Sequence, residues 1–351
     1  MSLSALVDGK LIQSFALDDA SWVSLKSTYK HRSVLMPCCY SGAVPKVSKL
    51  GNKFFAHSKQ GECSTAAETS EHIFLKTIVA QAAQMAGWEV QTEARGFSSN
   101  NEPWIADVLC SRGDSKFAIE IQWSAQSKSE FLRRQNRYAD SGVRALWLYR
   151  LKGRRNVSKY DWFSSESLPV FAFRARSNRA GFEMSQYSVT VEKFVSGIFN
   201  GKLCWTPRVN DSLVGILEIA PDRCWRCGKL TNLLLGFSVF SDSGLRLGKF
   251  SFTDPRVPSF LLLHFGDERL RYLGVGTIKS RYSKTVSHSY ISNGCFHCDA
   301  LMGNFFLSRL GSYVDTDLHN LDLKFFFPYS SGMLPITSQW LFDGSEPAYM
   351  F

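Results

Sequence analysis

Two acids stand where a buried strand should be apolar. In the stretch WIADVLCSRGDSKFAIEIQW, from Trp104 to Trp123, Asp107 and Glu120 interrupt aliphatic runs, and Gln122 follows Glu120 two positions on. Side chains alternate along a strand, so Ala118, Glu120 and Gln122 share one face while Ile119, Ile121 and Trp123 take the other. A strand with one apolar face and one acid-and-amide face addresses something polar. Two carboxylates suit a hard divalent cation, Mg2+ or Mn2+. Taken alone, the same residues also fit an ordinary hairpin whose acids face solvent.

The cysteines offer a second chemistry. CWRC, with Cys224 and Cys227, and CFHC, with Cys295 and Cys298, are two knuckles. Each presents two thiolates from one tight turn, and together they meet the ligand count of a tetrahedral zinc site. Four thiolates leave no open coordination position, so the Zn2+ expected here is structural, with His297 a bystander. Near the start of the chain Cys38, Cys39, His57 and Cys63 supply a candidate second zinc site, with Cys39, His57 and Cys63 as the expected ligands. Adjacent cysteines are an awkward pair on one ion. The alternative is small buried thiols with His57 packed beside Phe54 and Phe55. Nine cysteines, an odd number, in a chain with no expected signal peptide indicate metal ligands and thiols in a reducing compartment, hence a cytoplasmic protein.

Local signals predict the elements that position these groups. Thr65-x-x-Glu68 has the form of a capping box and Gly87 that of a helix stop, enclosing the helix-favouring AAETSEHIFLKTIVAQAAQMA. Leu75, Ile78 and Ala82 form an apolar line that, one turn back, meets Glu71; a carboxylate there either caps the core's edge or points into a site. His72 and Lys76 make the adjacent line. A strand over Trp88–Ala94 and the hairpin of Ile105–Cys110 and Lys116–Gln122 come next. Ser127-x-x-Glu130 opens a second helix, Lys128–Ser141, which stops at Gly142 before a strand over Val143–Leu151. Three strands this close form a meander, and the fourth joins in parallel through a right-handed crossover. On the second helix Arg133, Gln135, Arg137 and Tyr138 are candidates to contact phosphates and stack a base; the alternative is a solvated basic face with Tyr138 in the core.

Composition bounds the class. The chain has 351 residues, 44% hydrophobic and 21% charged, with net charge +10. That is a globular protein of two or three domains whose basic balance favours nucleic acid as partner. No apolar run reaches the roughly 18 residues of a membrane span, so no membrane partner is expected, and no Walker A, dinucleotide fingerprint or nucleophile elbow is present. The expected division is a β-rich unit over 1–65, an α/β domain over 66–160, and a β-rich zinc-binding region over 161–351.

Five segments carry a family resemblance: FFAH (Phe54–His57) followed by Cys63, ETSEHIFLK (Glu68–Lys76), WIADVL (Trp104–Leu109), EIQWSAQS (Glu120–Ser127) and RRQNRYADSGVRALWL (Arg133–Leu148). Together they resemble the CoiA-like competence protein family. The order helix, three strands, helix, strand, with acids on the first helix and two strands, is similar to the αβββαβ core of PD-(D/E)xK nucleases. The resemblance implies a metal-dependent nuclease-like domain associated with DNA uptake or processing. Asp107 and Glu120 would bind Mg2+ or Mn2+, with Glu71 in support from the helix. Gln122 stands where the general pattern has lysine, a departure CoiA-like proteins share. An amide can hold an attacking water but adds no positive charge toward the phosphate: either the metal does that work, or Lys76 or Lys128 reaches in, or catalysis is weak.

The reading is therefore a metal-dependent DNA nuclease acting in DNA uptake, processing or defence. Its rival is a nuclease-fold single-stranded DNA-binding protein without catalysis that recruits recombination partners. A purely structural zinc protein leaves Asp107, Glu120 and Glu71 unexplained.

Overall fold

A computed structural model describes residues 1–59, 63, 68–151, 164–176, 181–242, 244–304, 321–330, 332 and 334–343. It divides the chain into two compact units, Met1–Cys204 with Phe342–Phe351, and Trp205–Leu341. The boundary expected near 160 falls instead near 204, because the main sheet continues past that point. The expected boundary at 65 is also absent, because Leu3 and Phe54 pack on Ile73 in one apolar cluster.

The first unit opens with a hairpin of β1 (Ser4–Val7) and β2 (Lys10–Gln13). Its turn, Asp8-Gly9, takes positive φ at both residues, 50° and 81°, which this dipeptide tolerates better than any bulkier pair. Helix α1 (Asp19–Thr28) comes next, its first turn closed by the Asp18 carboxylate, which accepts the Ser21 N–H at 2.7 Å. The sequence pattern did not predict a helix here. Short β3 (Val34–Leu35) pairs with β1, and β4 (Ala43–Val47) and β5 (Lys53–His57) form a second hairpin. Trp22, Leu25 and Phe55 close the small core between them.

Helix α2 (Ser70–Met85) is capped by Thr69, whose hydroxyl accepts the His72 N–H at 3.2 Å, and ends before Gly87 at φ 79°. Thr65, the expected cap, lies outside the described residues. Then come β6 (Glu89–Phe97), β7 (Pro103–Arg112), β8 (Ser115–Gln122), α3 (Lys128–Ala139), β9 (Val143–Arg150), β10 (Val170–Ala175), β11 (Phe182–Met184) and α4 (Val191–Phe199). The six strands lie in the order β11-β10-β9-β8-β7-β6. β6, β7 and β8 are an antiparallel meander, whereas β8–β9 and β9–β10 are parallel. Turn and the start of α4 occupy Tyr187–Val191. Phe131, Tyr138 and Trp147 fill the core under α3, each fully buried aromatic contributing about 1.5–3 kcal/mol.

β12 (Leu203–Thr206) carries the chain to the second unit. There β13 (Ser212–Arg223), β14 (Leu230–Phe240), β15 (Arg246–Ser251) and, later, β19 (Lys324–Pro328) form an antiparallel sheet in the order β15-β14-β13-β19. Helix α5 (Arg256–His264) packs Phe260 face to face with Phe237, centroids 5.4 Å apart. Gly215 is required: a Cβ there would lie 2.2 Å from the Phe325 ring. A smaller sheet of β16 (Ile278–Ser283), β17 (His288–Gly294) and β18 (Leu301–Met302) completes the unit. No described helix is long and apolar enough to cross a membrane.

Candidate functional site

Helix α2 and strands β6 and β7 bring a polar cluster into the first unit. At its centre is Lys76, with its side chain fully buried. A buried ammonium is tolerable only when paired, and Lys76 Nζ lies 2.8 Å from Glu68 Oε1, 2.5 Å from Glu93 Oε1 and 3.6 Å from Asp107 Oδ1. Burial opposes the charged lysine, but Glu93, Glu68 and Asp107 outweigh it and raise its pKa. Glu93 sits at positive φ, 51°, and also accepts the hydroxyls of Ser2 and Ser4 at 3.1 and 3.0 Å, which ties the N-terminal hairpin to the cluster.

Glu68, His72 and Lys76 stand at i, i+4 and i+8 on one line of α2 and its lead-in. His72 Nε2 is 3.7 Å from Asp107 Oδ2, and its ring stacks on Trp123 at 5.8 Å and 12°. The Ile121 N–H donates to Asp107 Oδ2 at 2.8 Å. Burial works against ionised Asp107, yet Lys76, His72 and that N–H hold its pKa well below the usual carboxylate range. Burial raises the pKa of Glu68. His72 is raised too: burial opposes its protonation, but Asp107 and Glu68 favour it.

This set fits a cation on one specific observation. Glu68 Oε2 and His72 Nε2 are both buried and accept or donate no hydrogen bond. Each is costly to leave unmatched, and donor atoms of Glu68, His72 and Asp107 all lie within 4.8 Å of one another.

The structure redistributes the residues expected to act together. Glu71 is exposed, and the acid that joins the cluster is Glu68, just before the Thr69 cap of α2. Of the apolar line through Leu75, Ile78 and Ala82, Leu75 is buried and the other two are half-buried, but the buried residues of α2 also include Ile73, Lys76, Thr77, Val79, Ala80 and Ala83. Glu120 is 2% exposed and directs its carboxylate toward α3. Its Oε2 accepts Arg134 Nη2 at 2.6 Å and its Oε1 accepts the Tyr138 hydroxyl. Burial, then the charge of Asp107, pushes Glu120 up to about 7. Gln122 goes with it, with Oε1 3.3 Å from Arg134 Nη1 and Nε2 donating to the Ser124 carbonyl at 2.8 Å. Glu120 thus bonds to Arg134 and Tyr138, while Asp107 accepts the Ile121 N–H and lies beside His72 and Lys76, with its charge still felt at Glu120.

The candidates on α3 also separate. Tyr138 is 1% exposed and cannot stack a base. Gln135 bonds inward, to the Ala145 and Ser167 carbonyls and the Trp147 N–H. Arg133 and Arg137 remain at the surface, paired with Glu130 and Glu102. With Arg134, Pro103 and Trp104 they line a cavity of about 400 Å³.

Two cysteine clusters complete the inventory. Cys224, Cys227, Cys295 and Cys298 converge within 4.8 Å. Each knuckle is the turn of a hairpin, β13–β14 and β17–β18. In each, a backbone N–H points at the first sulfur: Arg226 at Cys224 and His297 at Cys295, both 3.4 Å. Burial works against the Cys224 thiolate, but the N–H groups of Cys227 and Arg226 bring it down to about 7. His297 Nε2 lies 3.0 Å from the Leu230 carbonyl, away from the sulfurs. In the first unit Cys38, Cys39, His57 and Cys63 also converge. His57 Nε2 is 3.4 Å from Cys38 Sγ and 3.3 Å from Cys39 Sγ, and Cys63 Sγ is 3.6 Å from Cys38 Sγ. Cys38 thus joins the three ligands expected. Both clusters could hold a metal such as zinc.

The first unit thus holds a mixed sheet flanked by helices, with a carboxylate–histidine–lysine cluster at the head of α2. Residues 68–198 match the family model described as competence protein CoiA, nuclease-like domain. No curated protein matches the chain. Among solved structures, a crystal structure titled as a protein of unknown function, AF1548, aligns with 16% identity and a TM-score of 0.20. That alignment covers 27% of this chain and 58% of the other.

Proposed function

We propose that residues 68–198 form a metal-dependent nuclease that hydrolyses phosphodiester bonds in DNA, in uptake, processing or defence. The observation that supports it is the pair of buried, unmatched atoms, Glu68 Oε2 and His72 Nε2, beside Asp107. Glu68, His72 and Asp107 would hold the ion. Two carboxylates and an imidazole suit Mn2+ better than Mg2+, which favours oxygen alone. When bound, the ion supplies an activated water at neutral pH and offsets charge developing on phosphate.

The chain's own residues do the rest. The Ile121 N–H fixes the Asp107 carboxylate. Trp123, stacked on His72, orients the imidazole. Lys76 places a permanent positive charge 3.6 Å from Asp107, where Gln122 supplies none. Arg133 and Arg137 offer the strand phosphate contacts. The test is cleavage of single- and double-stranded DNA with Mn2+ or Mg2+ by wild type, Asp107→Ala and Glu120→Ala. Cleavage lost in Asp107→Ala supports the reading; equal activity in all three removes it.

One observation favours a second reading. Glu120 is satisfied by Arg134 and Tyr138, and Lys76 offsets charge on Glu68, Glu93 and Asp107 without any ion. A binding module that holds single-stranded DNA and recruits protein partners would need no more. It predicts salt-sensitive binding that survives loss of both acids and needs no divalent cation.

A further inference from the structure

Each cysteine knuckle lifts an aromatic ring to the surface. Trp225 is 74% exposed and Phe296 41% exposed. Both come directly after the first cysteine of their knuckle, in CWRC and CFHC, so they hold equivalent positions in two turns that face one group of four sulfurs. Trp225 is held through its ring and Phe296 through its backbone. Trp225 Nε1 donates to the Leu301 carbonyl at 2.8 Å, on the strand leaving the opposite knuckle. The Phe296 N–H donates to Thr231 Oγ1 at 2.9 Å, on the strand leaving the first.

The surroundings are cationic. From Asp222 to Leu230 the chain has Arg223, Arg226 and Lys229 against the one carboxylate of Asp222, and all three cations are exposed. Asp299, the acid of the second knuckle, is engaged by Lys279 at 2.7 Å and by Arg281. Exposed rings set among cations suit a flexible polyanion whose bases present flat faces.

We propose that this face binds single-stranded nucleic acid, with Trp225 and Phe296 stacking on bases and Arg226 and Lys229 meeting phosphates. The surface belongs to the Trp205–Leu341 unit and does not depend on the chemistry at Asp107.

The experiment uses the full chain carrying Asp107→Ala, so that neither outcome depends on cleavage, and reads anisotropy of a labelled oligothymidylate and of a duplex of equal length. The parent should prefer the single strand. Trp225→Ala should weaken binding about ten-fold, Trp225→Phe should restore most of it, and Arg226→Ala should lower the salt slope by about one. Zinc content, measured by elemental analysis, should stay at the parent value. If Trp225→Ala loses zinc, Phe296→Leu, which keeps apolar bulk without a ring, takes its place. Undiminished binding of the single strand by zinc-replete Trp225→Ala and Phe296→Leu overturns the proposal and leaves the face to a protein partner.

Discussion

His72 Nε2 and Asp107 Oδ2 face each other at 3.7 Å, one from a helix and one from a strand, with no hydrogen bond made to that nitrogen. A cation taken up there ties α2 to β7. Mn2+ should therefore raise the thermal midpoint of the wild type, by the equivalent of about 2.7 kcal/mol when the free ion reaches about 100 times its Kd. His72→Ala and Asp107→Ala should lose that shift in a thermal melt. Glu71→Ala should keep it, whereas Glu68→Ala should not; the reverse pattern would return the helix ligand to Glu71.

Lys76 tests the buried charge network. Lys76→Met keeps most of the side-chain volume but leaves Glu68 and Glu93 without their counter-ion. Breaking a buried pair in this way costs about 3–5 kcal/mol. Urea denaturation should show a midpoint lowered accordingly. A loss below about 1 kcal/mol, the range of surface pairs, would mean the cluster is solvated.

Glu120 gives a pH signature of definite sign. Its carboxyl is pushed up to about 7 in the folded protein, against a usual value of 4.5. Between those values the native state binds more protons than the unfolded chain, so this group's contribution falls as pH rises through the window. Glu120→Gln, which cannot titrate, should flatten that part of the stability profile between about pH 5 and pH 8. A profile unchanged by the substitution would place the titration elsewhere.

On α3, structure and recognition should separate. Gln135→Ala breaks bonds to Ala145, Ser167 and Trp147 and should cost about 1–3 kcal/mol of stability while DNA affinity holds. Arg133→Ala and Arg137→Ala should each reduce the salt slope of DNA binding by about one with little effect on stability. Salt titrations of the variants, run beside denaturation, decide it.

The cysteine clusters predict a count. If both hold zinc, elemental analysis should find about two ions per chain, each held by four ligands. Cys295→Ser should remove one and Cys38→Ser the other. A full complement in Cys38→Ser would exclude that residue as a ligand.

Much of this was legible locally. The order of helix, hairpin strands, helix and strand between α2 and β9 comes from side-chain periodicity and from caps such as Ser127, whose hydroxyl accepts the Glu130 N–H at 3.2 Å. The CxxC pairs announce themselves because the two thiolates of each come from one turn, whatever the rest of the chain does. Helix α1 was missed although Asp18 is an N-cap residue with the usual preference; the short apolar runs around it suggested strands. The His72–Lys76 line was visible as i, i+4 spacing, but Glu68 was assigned to a capping box and only the fold brings it to Lys76.

By itself, then, the amino-acid order determined which residues carry chemistry and which elements hold them, since propensity, capping and knuckle spacing act over a few neighbours. Only the tertiary structure decided which acids meet. Glu68 rather than Glu71 joins Asp107, and Glu120 turns to Arg134 and Tyr138, because a buried charge settles where distant strands and helices supply its counter-charge and hydrogen bonds. Those partners lie far off in the chain, and their distances exist only once the sheet is packed.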